Sequence, residues 1–189
     1  MRIMEPLPPS SPSSAHEPIF EPLENSEEYQ MQLLKISKFN DAAARGDLQE
    51  IYVRLNEGQN PMLYLEDGNT ALHHACFHGH LNVAEYFLDN EMYESPDPLN
   101  VEGQTPLHVS CQNDGTCTIE LIKYLIKMGA DNKIEDKSGK KPWETAEEYL
   151  EANPQYEQIV QVLKTYDREL ELKTTCEYLG ISFETEGHL

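Results

Sequence analysis

The feature that most constrains the fold is an internal repeat with a period of about 35 residues. The stretch DGNTALHHAC (67–76) matches EGQTPLHVSC (102–111), and the match pairs Gly68 with Gly103, Thr70 with Thr105, Leu72 with Leu107, His73 with His108 and Cys76 with Cys111. Behind each stretch, apolar residues recur at the spacing that gives a helix one apolar face. They are Leu81, Val83, Ala84, Phe87 and Leu88 in one copy and Ile119, Leu121, Ile122, Leu125 and Ile126 in the other. Because a unit of two short helices cannot bury its apolar face alone, the repeat predicts an all-α solenoid of stacked helix–turn–helix units joined by short hairpin turns.

Weaker copies of the unit flank these two. The downstream copy, around SGKKPWETA (138–146), keeps the Gly and the Pro, and the upstream copy, SKFNDAAARGDLQEIYVRL (37–55), keeps the apolar phase. Terminal units have a neighbour on one side only, so we expect them to lose inter-unit bonding residues and to carry a polar outer face. The sequence therefore predicts about four units, at about 34–66, 67–101, 102–137 and 138–168 within a domain of 31–168, with an insertion at NDGTC (113–117).

Three short motifs resemble those of the ankyrin repeat family. They are TPLH at 105–108, TALH at 70–73 and GHL at 79–81. The resemblance implies an ankyrin-type solenoid and a protein-binding function without catalysis. It also implies that His73 and His108 are hydrogen-bond brackets between a first helix and neighbouring turns, and it assigns Thr70, Thr105, Gly68 and Gly103 to structural positions.

The four histidines between residues 73 and 80 raise the alternative of a metal site. After His73 and His80 take the family's structural positions, His74 and His78 remain, one helical turn apart. No Cys, Asp or Glu completes a metal site with them at the usual spacing. The chain also has no nucleophile elbow, phosphate loop or zinc-binding helix. The sequence thus predicts no enzyme, no metal, no cofactor and no small-molecule substrate.

The charge of the chain is strongly negative, at −20, with 34 acidic and 14 basic residues. This balance disfavours nucleic acid and anionic membranes as partners, because both are bound through basic side chains. No Lys or Arg occurs between Arg54 and Lys123. The acidic stretch is interpreted either as a solubilising surface or as a patch that faces a basic partner protein.

The four cysteines show no paired spacing, which favours reduced thiols and a cytoplasmic protein, with a nuclear or cytoskeletal location as alternatives. We expect no membrane span, since no apolar run approaches about 18 residues.

Residues 1–30 form a Pro- and Ser-rich arm, predicted to be extended or disordered, or else laid along a partner. Residues 169–189 are interpreted as the end of a long helix followed by an acidic tail.

Partner contacts in the family come mostly from hairpin tips and from the exposed side of the first helices. Carried over by the resemblance, the contact residues here are Glu66, Asp67, Asn69, Phe77, His78, Val101, Glu102, Gln104, Gln112, Asn113, Lys137, Ser138 and Lys140. This surface is expected to run from acidic to basic along the solenoid, with Phe77 as its apolar anchor.

Three functions are compatible with this sequence. The first is a non-catalytic adaptor or inhibitor that binds a partner through the acidic surface. The second is a structural subunit of a large cytoskeletal or ciliary assembly, anchored by both tails. The third is a regulatory subunit of an enzyme. A fold of this kind does not by itself distinguish among them.

Overall fold

A computed structural model of the chain describes residues 27–112, 119–151, 153–154 and 156–179. Within these ranges the chain forms eight helices: α1 (Glu27–Ala44), α2 (Leu48–Asn56), α3 (Ala71–Phe77), α4 (Leu81–Asp89), α5 (Pro106–Ser110), α6 (Ile119–Lys127), α7 (Pro142–Glu148) and α8 (Tyr156–Leu179). None of the described residues forms a β-strand. The predicted all-α solenoid is confirmed. The predicted insertion at 113–117 lies outside the described residues.

The helices stack in two layers. The first helices of the units, α1, α3, α5 and α7, contact one another in order, and the second helices contact one another from α4 through α6 to α8. The apolar stripes that define the repeat face inward between the layers. Leu72, Leu107, Leu121 and Leu163 are fully buried there. Each unit therefore contributes one layer of apolar side chains to a continuous core.

A capping interaction fixes where the first helices begin. The backbone N–H of Thr70 donates to Nδ1 of His73 at 3.2 Å, and the N–H of Thr105 donates to Nδ1 of His108 at the same distance. In the fourth unit the N–H of Lys141 donates to Oε2 of Glu144 at 2.8 Å. Each bond satisfies a backbone donor that the start of a helix leaves unpaired.

The outer face of α2 carries a pair of charged residues where α4 has buried apolar residues. Glu50 and Arg54 hold the helix positions that Val83 and Phe87 hold in α4, where both are fully buried. Within the described residues no unit packs on this face of α2, and here the two charged side chains form an ion pair at 2.5 Å. The first unit thus carries the polar outer face expected of a terminal repeat.

The fourth unit ends differently. Trp143 holds the position of Leu72 and Leu107, yet it is only partly buried, because within the described residues no further unit packs against it. Lys164 of α8 lies over the Trp143 ring, 4.3 Å from its centroid, and also contacts Glu147. A cation over an indole face is favourable while the ammonium stays in water. This contact makes the open end of the stack compatible with solvent.

One expectation about the terminal units is wrong. The first unit was expected to lack an inter-unit bond, but Asn40, at the position of His73, donates from Nδ2 to the carbonyl of Asn69 at 3.3 Å. A side-chain amide offers the same donor as a histidine ring, so the change of residue type preserves the interaction. The first helix also begins at Glu27, inside the segment 1–30.

Candidate partner-binding surface

Three hairpin tips project from the stack, and the backbone joins each to the next. The N–H of Val101 donates to the carbonyl of Asp67 at 3.2 Å, and that of Lys137 donates to the carbonyl of Glu102 at 2.9 Å. A left-handed glycine lies at each tip: Gly68, Gly103 and Gly139, with φ of +71°, +72° and +79°. Because the hairpins are tied to one another, the side chains at their tips hold fixed relative positions.

Two histidines anchor the hairpins to the first helices. Nε2 of His73 donates to the carbonyl of Gln104 at 3.1 Å, and Nε2 of His108 donates to the carbonyl of Lys140 at 3.0 Å. Since Nδ1 of each ring accepts a backbone N–H, both rings must be neutral with the proton on Nε2. Each ring therefore joins the start of its own helix to the hairpin of the next unit.

The neutral state of His73 makes stability depend on pH. Burial lowers the pKa of His73 to about 4, whereas the ring titrates near 6.5 in an unfolded chain. Between these values the unfolded state binds a proton that the folded state does not. The stabilisation is therefore complete above pH 6.5 and is lost as the pH falls toward 4, by about 2 kcal/mol at pH 5.

We predict that replacing His73 with Gln removes this part of the pH dependence. The difference in unfolding free energy between wild type and His73→Gln should shrink by about 2 kcal/mol from pH 7 to pH 5, as measured by urea denaturation. Taking the difference cancels the opposite trend of Asp97, whose pKa burial raises to about 6, so that it stabilises the fold as the pH falls. A difference that stays constant with pH would contradict the assignment.

The exposed side of the first helices carries two adjoining grooves. The first groove, of about 240 Å³, is lined by Asn69, His73, His74, Phe77, His78, Asn100, Gln104, Val109 and Gln112. The second groove, of about 220 Å³, is lined by Glu102, Gln104, Gln112, Asp136, Ser138, Lys140, Thr145, Glu148 and Tyr149. Gln104 and Gln112 line both, so the two grooves form one surface across the second, third and fourth units.

The residues expected to contact a partner fall into two sets on this surface. Those that line a groove are Asn69, Phe77, His78, Glu102, Gln104, Gln112, Ser138 and Lys140. Those exposed at the tips, outside both grooves, are Glu66, Asp67, Val101 and Lys137. Asn113 lies outside the described residues.

Several groove residues were not found from the sequence. They are His74, Asn100, Val109, Asp136, Thr145, Glu148 and Tyr149. Val109 and Thr145 hold the position of His74 in the next two units, and Glu148 holds that of Phe77. His74 was itself not predicted, so its equivalents could not be found in this way. Carrying the predicted positions of Phe77 and His78 through all the copies would have found Glu148 and Tyr149.

The charge at the fourth unit is more balanced than the sequence suggested. Nζ of Lys140 pairs with Oε1 of Glu148 at 2.5 Å. The carboxylate of Asp136 accepts the N–H groups of Ser138 and Lys140 at 2.8 and 3.0 Å. A paired lysine offers little net charge to a partner. The acidic tips of the first and second hairpins are thus the clearest charge feature of this surface.

His74 and His78, the two histidines that hold no structural position of the repeat, both line the first groove. His74 is half-buried and His78 is exposed, and burial lowers the pKa of each ring. Both are therefore neutral at pH 7 and add no positive charge beside Phe77. Among the residues that the structure describes, no group of three or more His, Cys, Asp or Glu side chains is placed to hold a metal.

Comparisons with known proteins agree with this architecture. The family described as ankyrin repeats (3 copies) matches residues 39–136, which is about half of the chain. The chain therefore belongs to the ankyrin repeat family. Ankyrin repeats are protein–protein interaction modules, and the family is generally non-catalytic. No helix in the described part of the chain is long and apolar enough to cross a membrane.

Two kinds of relative share part of the sequence. The chain is 34% identical over 100 residues to the ankyrin repeat-containing protein YGL242C of Saccharomyces cerevisiae, which covers 51% of this chain and 52% of that protein. It is 37% identical over 78 residues to the palmitoyltransferase ZDHHC13 of Homo sapiens and of Pongo abelii, covering 40% of this chain and 12% of each relative. The chain thus spans about half the length of the yeast relative and a small part of the others.

Proposed function

We propose that the protein is a non-catalytic adaptor or inhibitor that binds one partner protein across the two grooves and the hairpin tips. The observation that supports this proposal is the continuity of the grooves, which gives a partner one concave surface with an aromatic side chain in it. Cys76 and Cys111 are buried and form no disulfide, which suits a reducing compartment, and the proposed location is the cytoplasm.

Phe77 is the proposed anchor of this interaction. It is 38% exposed at the end of α3, and the equivalent positions in the next two units are the polar residues Gln112 and Glu148. Its ring lies edge-on to that of His78, with centroids 5.1 Å apart, so it is held in place before a partner arrives. A large, preorganised aromatic group loses little entropy on binding and is typical of an interface hot spot.

The proposed partner presents basic side chains around an apolar pocket. Glu66, Asp67 and Glu102 are exposed at the tips beside the grooves, and the sequence from 55 to 122 contains no Lys or Arg to neutralise them. A surface of this sign favours a basic protein and opposes nucleic acid or an anionic membrane.

Kinetics with two groove variants would test the proposal. A partner is first captured on the immobilised wild-type chain, and its binding is then measured by surface plasmon resonance. The double change Glu66→Lys with Asp67→Lys should slow association, most strongly at low salt, because rim charges steer the encounter. Phe77→Ala should raise the dissociation rate by about 30-fold, as expected for a hot spot worth about 2 kcal/mol.

The matched control is Tyr52→Ser on α2. Tyr52 is 54% exposed, more than Phe77, and it lines neither groove. Its replacement should leave both rates unchanged. If the groove variants bind like wild type while deletion of residues 1–26 abolishes binding, the groove is not the working surface and the anchored structural subunit becomes the better explanation.

A further inference from the structure

An exposed apolar patch lies on the first and second hairpins, outside both grooves. We name Tyr64, Leu99 and Val101 the hairpin patch; they are 37%, 57% and 43% exposed. Leu99 is the most exposed large apolar side chain in the described part of the chain. None of the three lines either groove. Val101 is a tip residue of the proposed partner-binding surface, but that function does not account for the exposure of Tyr64 and Leu99.

The three side chains share one part of the surface. Tyr64 and Leu99 hold the same position in successive repeats. Their hairpins are joined by the Val101–Asp67 backbone bond and by a bond of 3.0 Å from Nδ2 of Asn100 to Oδ1 of Asn69. Adjacent units of packed helices lie about 10 Å apart. The hairpin patch is thus a compact feature of two neighbouring units.

The hairpin patch lies outside the first groove. Asn100 lines that groove, and its backbone N–H pairs with the carbonyl of Gln104 across the hairpin. Leu99, which directly precedes Asn100, is exposed to solvent but does not line that groove.

The loops that present the patch are firmly held. Leu99 follows Pro96 and Pro98, whose rings fix φ, and the carboxylate of Asp97 accepts the N–H of Asp131 at 3.0 Å. The loop before Tyr64 is held by Tyr93, whose hydroxyl donates to the carbonyl of Pro61 at 2.7 Å. A partner that binds the hairpin patch would have little loop motion to arrest.

The charges around the patch define the kind of partner it fits. The exposed carboxylates Glu66, Asp67 and Glu102 adjoin it on the same two hairpins. At the equivalent positions of the third hairpin stand Glu135 and Lys137, so the apolar character ends there. We propose that the hairpin patch docks a short basic segment of a partner protein, in which apolar side chains are flanked by Lys or Arg. This binding is independent of the groove.

A synthetic peptide tests the proposal directly. The probe alternates Leu and Lys and is about seven residues long, enough in an extended form to span two hairpins. Its affinity for the full chain is measured by fluorescence anisotropy, and its location by amide chemical-shift changes. The shifts should centre on residues 64–67 and 99–102. The double change Tyr64→Ser with Leu99→Ser should weaken binding at least 10-fold.

Controls distinguish binding at the hairpin patch from nonspecific charge attraction and from binding in the grooves. Tyr52→Ser with Val53→Ser changes two exposed apolar side chains on α2 and should leave the affinity unchanged, as should Phe77→Ala. A peptide with Ser in place of Leu should bind at least 10-fold more weakly. Equal binding of that peptide, shifts centred on Phe77 and His78, or binding to phosphatidylcholine vesicles that Leu99→Ser abolishes would each overturn the proposal. The groove proposal would stand or fall separately.

Discussion

Replacing Leu107 with Ala is expected to lower the free energy of unfolding by about 2–5 kcal/mol. Leu107 is fully buried in α5, the central first helix, which packs against both α3 and α7. The substitution removes apolar contacts from both interfaces of the third unit and leaves a cavity that the neighbouring helices cannot fill without moving. Urea denaturation followed by circular dichroism measures the loss.

Leu99→Ala provides the matched control for this prediction. The chemical change is the same, but Leu99 is 57% exposed, so the expected loss is below about 0.5 kcal/mol. A loss that small at Leu107 would mean that the residue is not part of the core between units. Because each unit is stabilised by its neighbours, Leu107→Ala should also broaden the unfolding transition if the third unit uncouples from the others.

The central units were predictable because their residues repeat. Leu72 and Leu107 stand at matching positions, and a position that repeats in a solenoid meets the same surroundings in each copy. Both are fully buried. The histidine brackets could be expected from the family resemblance for the same reason.

The ends of the solenoid were less predictable, because there the surroundings change and the motif does not hold. Asn40 makes the bond expected of a histidine, and the Glu50–Arg54 pair replaces a buried apolar pair. In sequence these residues look like simple departures from the repeat. In the described part of the chain the first unit has a neighbour on one side only, which explains why polar groups are stable at these positions.

Long-range contacts that belong to no motif could not be predicted from the sequence either. The buried hydroxyl of Tyr93 accepts the N–H of Leu72 at 3.1 Å and donates to the carbonyl of Pro61. These partners come from two segments far from Tyr93 in sequence, so periodicity gives no signal for them. Tyr64 and Leu99 of the hairpin patch escaped prediction for a similar reason, since their exposure depends on the direction of each loop side chain.

Replacing a hairpin glycine is expected to cause the second large loss of stability. Gly68→Ala is expected to destabilise the fold by about 2–4 kcal/mol. The residue has φ of +71°, and an added Cβ would lie 2.6 Å from the backbone nitrogen of Val101. A contact this short with backbone cannot be relieved by a side-chain rotation, so the two hairpins must separate and the bond from Val101 to Asp67 must stretch.

The equivalent glycines make this a graded series with its own controls. Gly103 has φ of +72° with the nearest atom, the nitrogen of Lys137, at 3.2 Å from a built Cβ, while Gly139 has φ of +79° and nothing within 4 Å. Gly139→Ala should therefore cost only the left-handed backbone penalty, about 1–2 kcal/mol. Gly103→Ala should fall between Gly139→Ala and Gly68→Ala in thermal and urea unfolding. Equal losses at all three positions would show that backbone conformation alone requires glycine, and that the hairpins do not pack closely enough to fix the side chains at their tips.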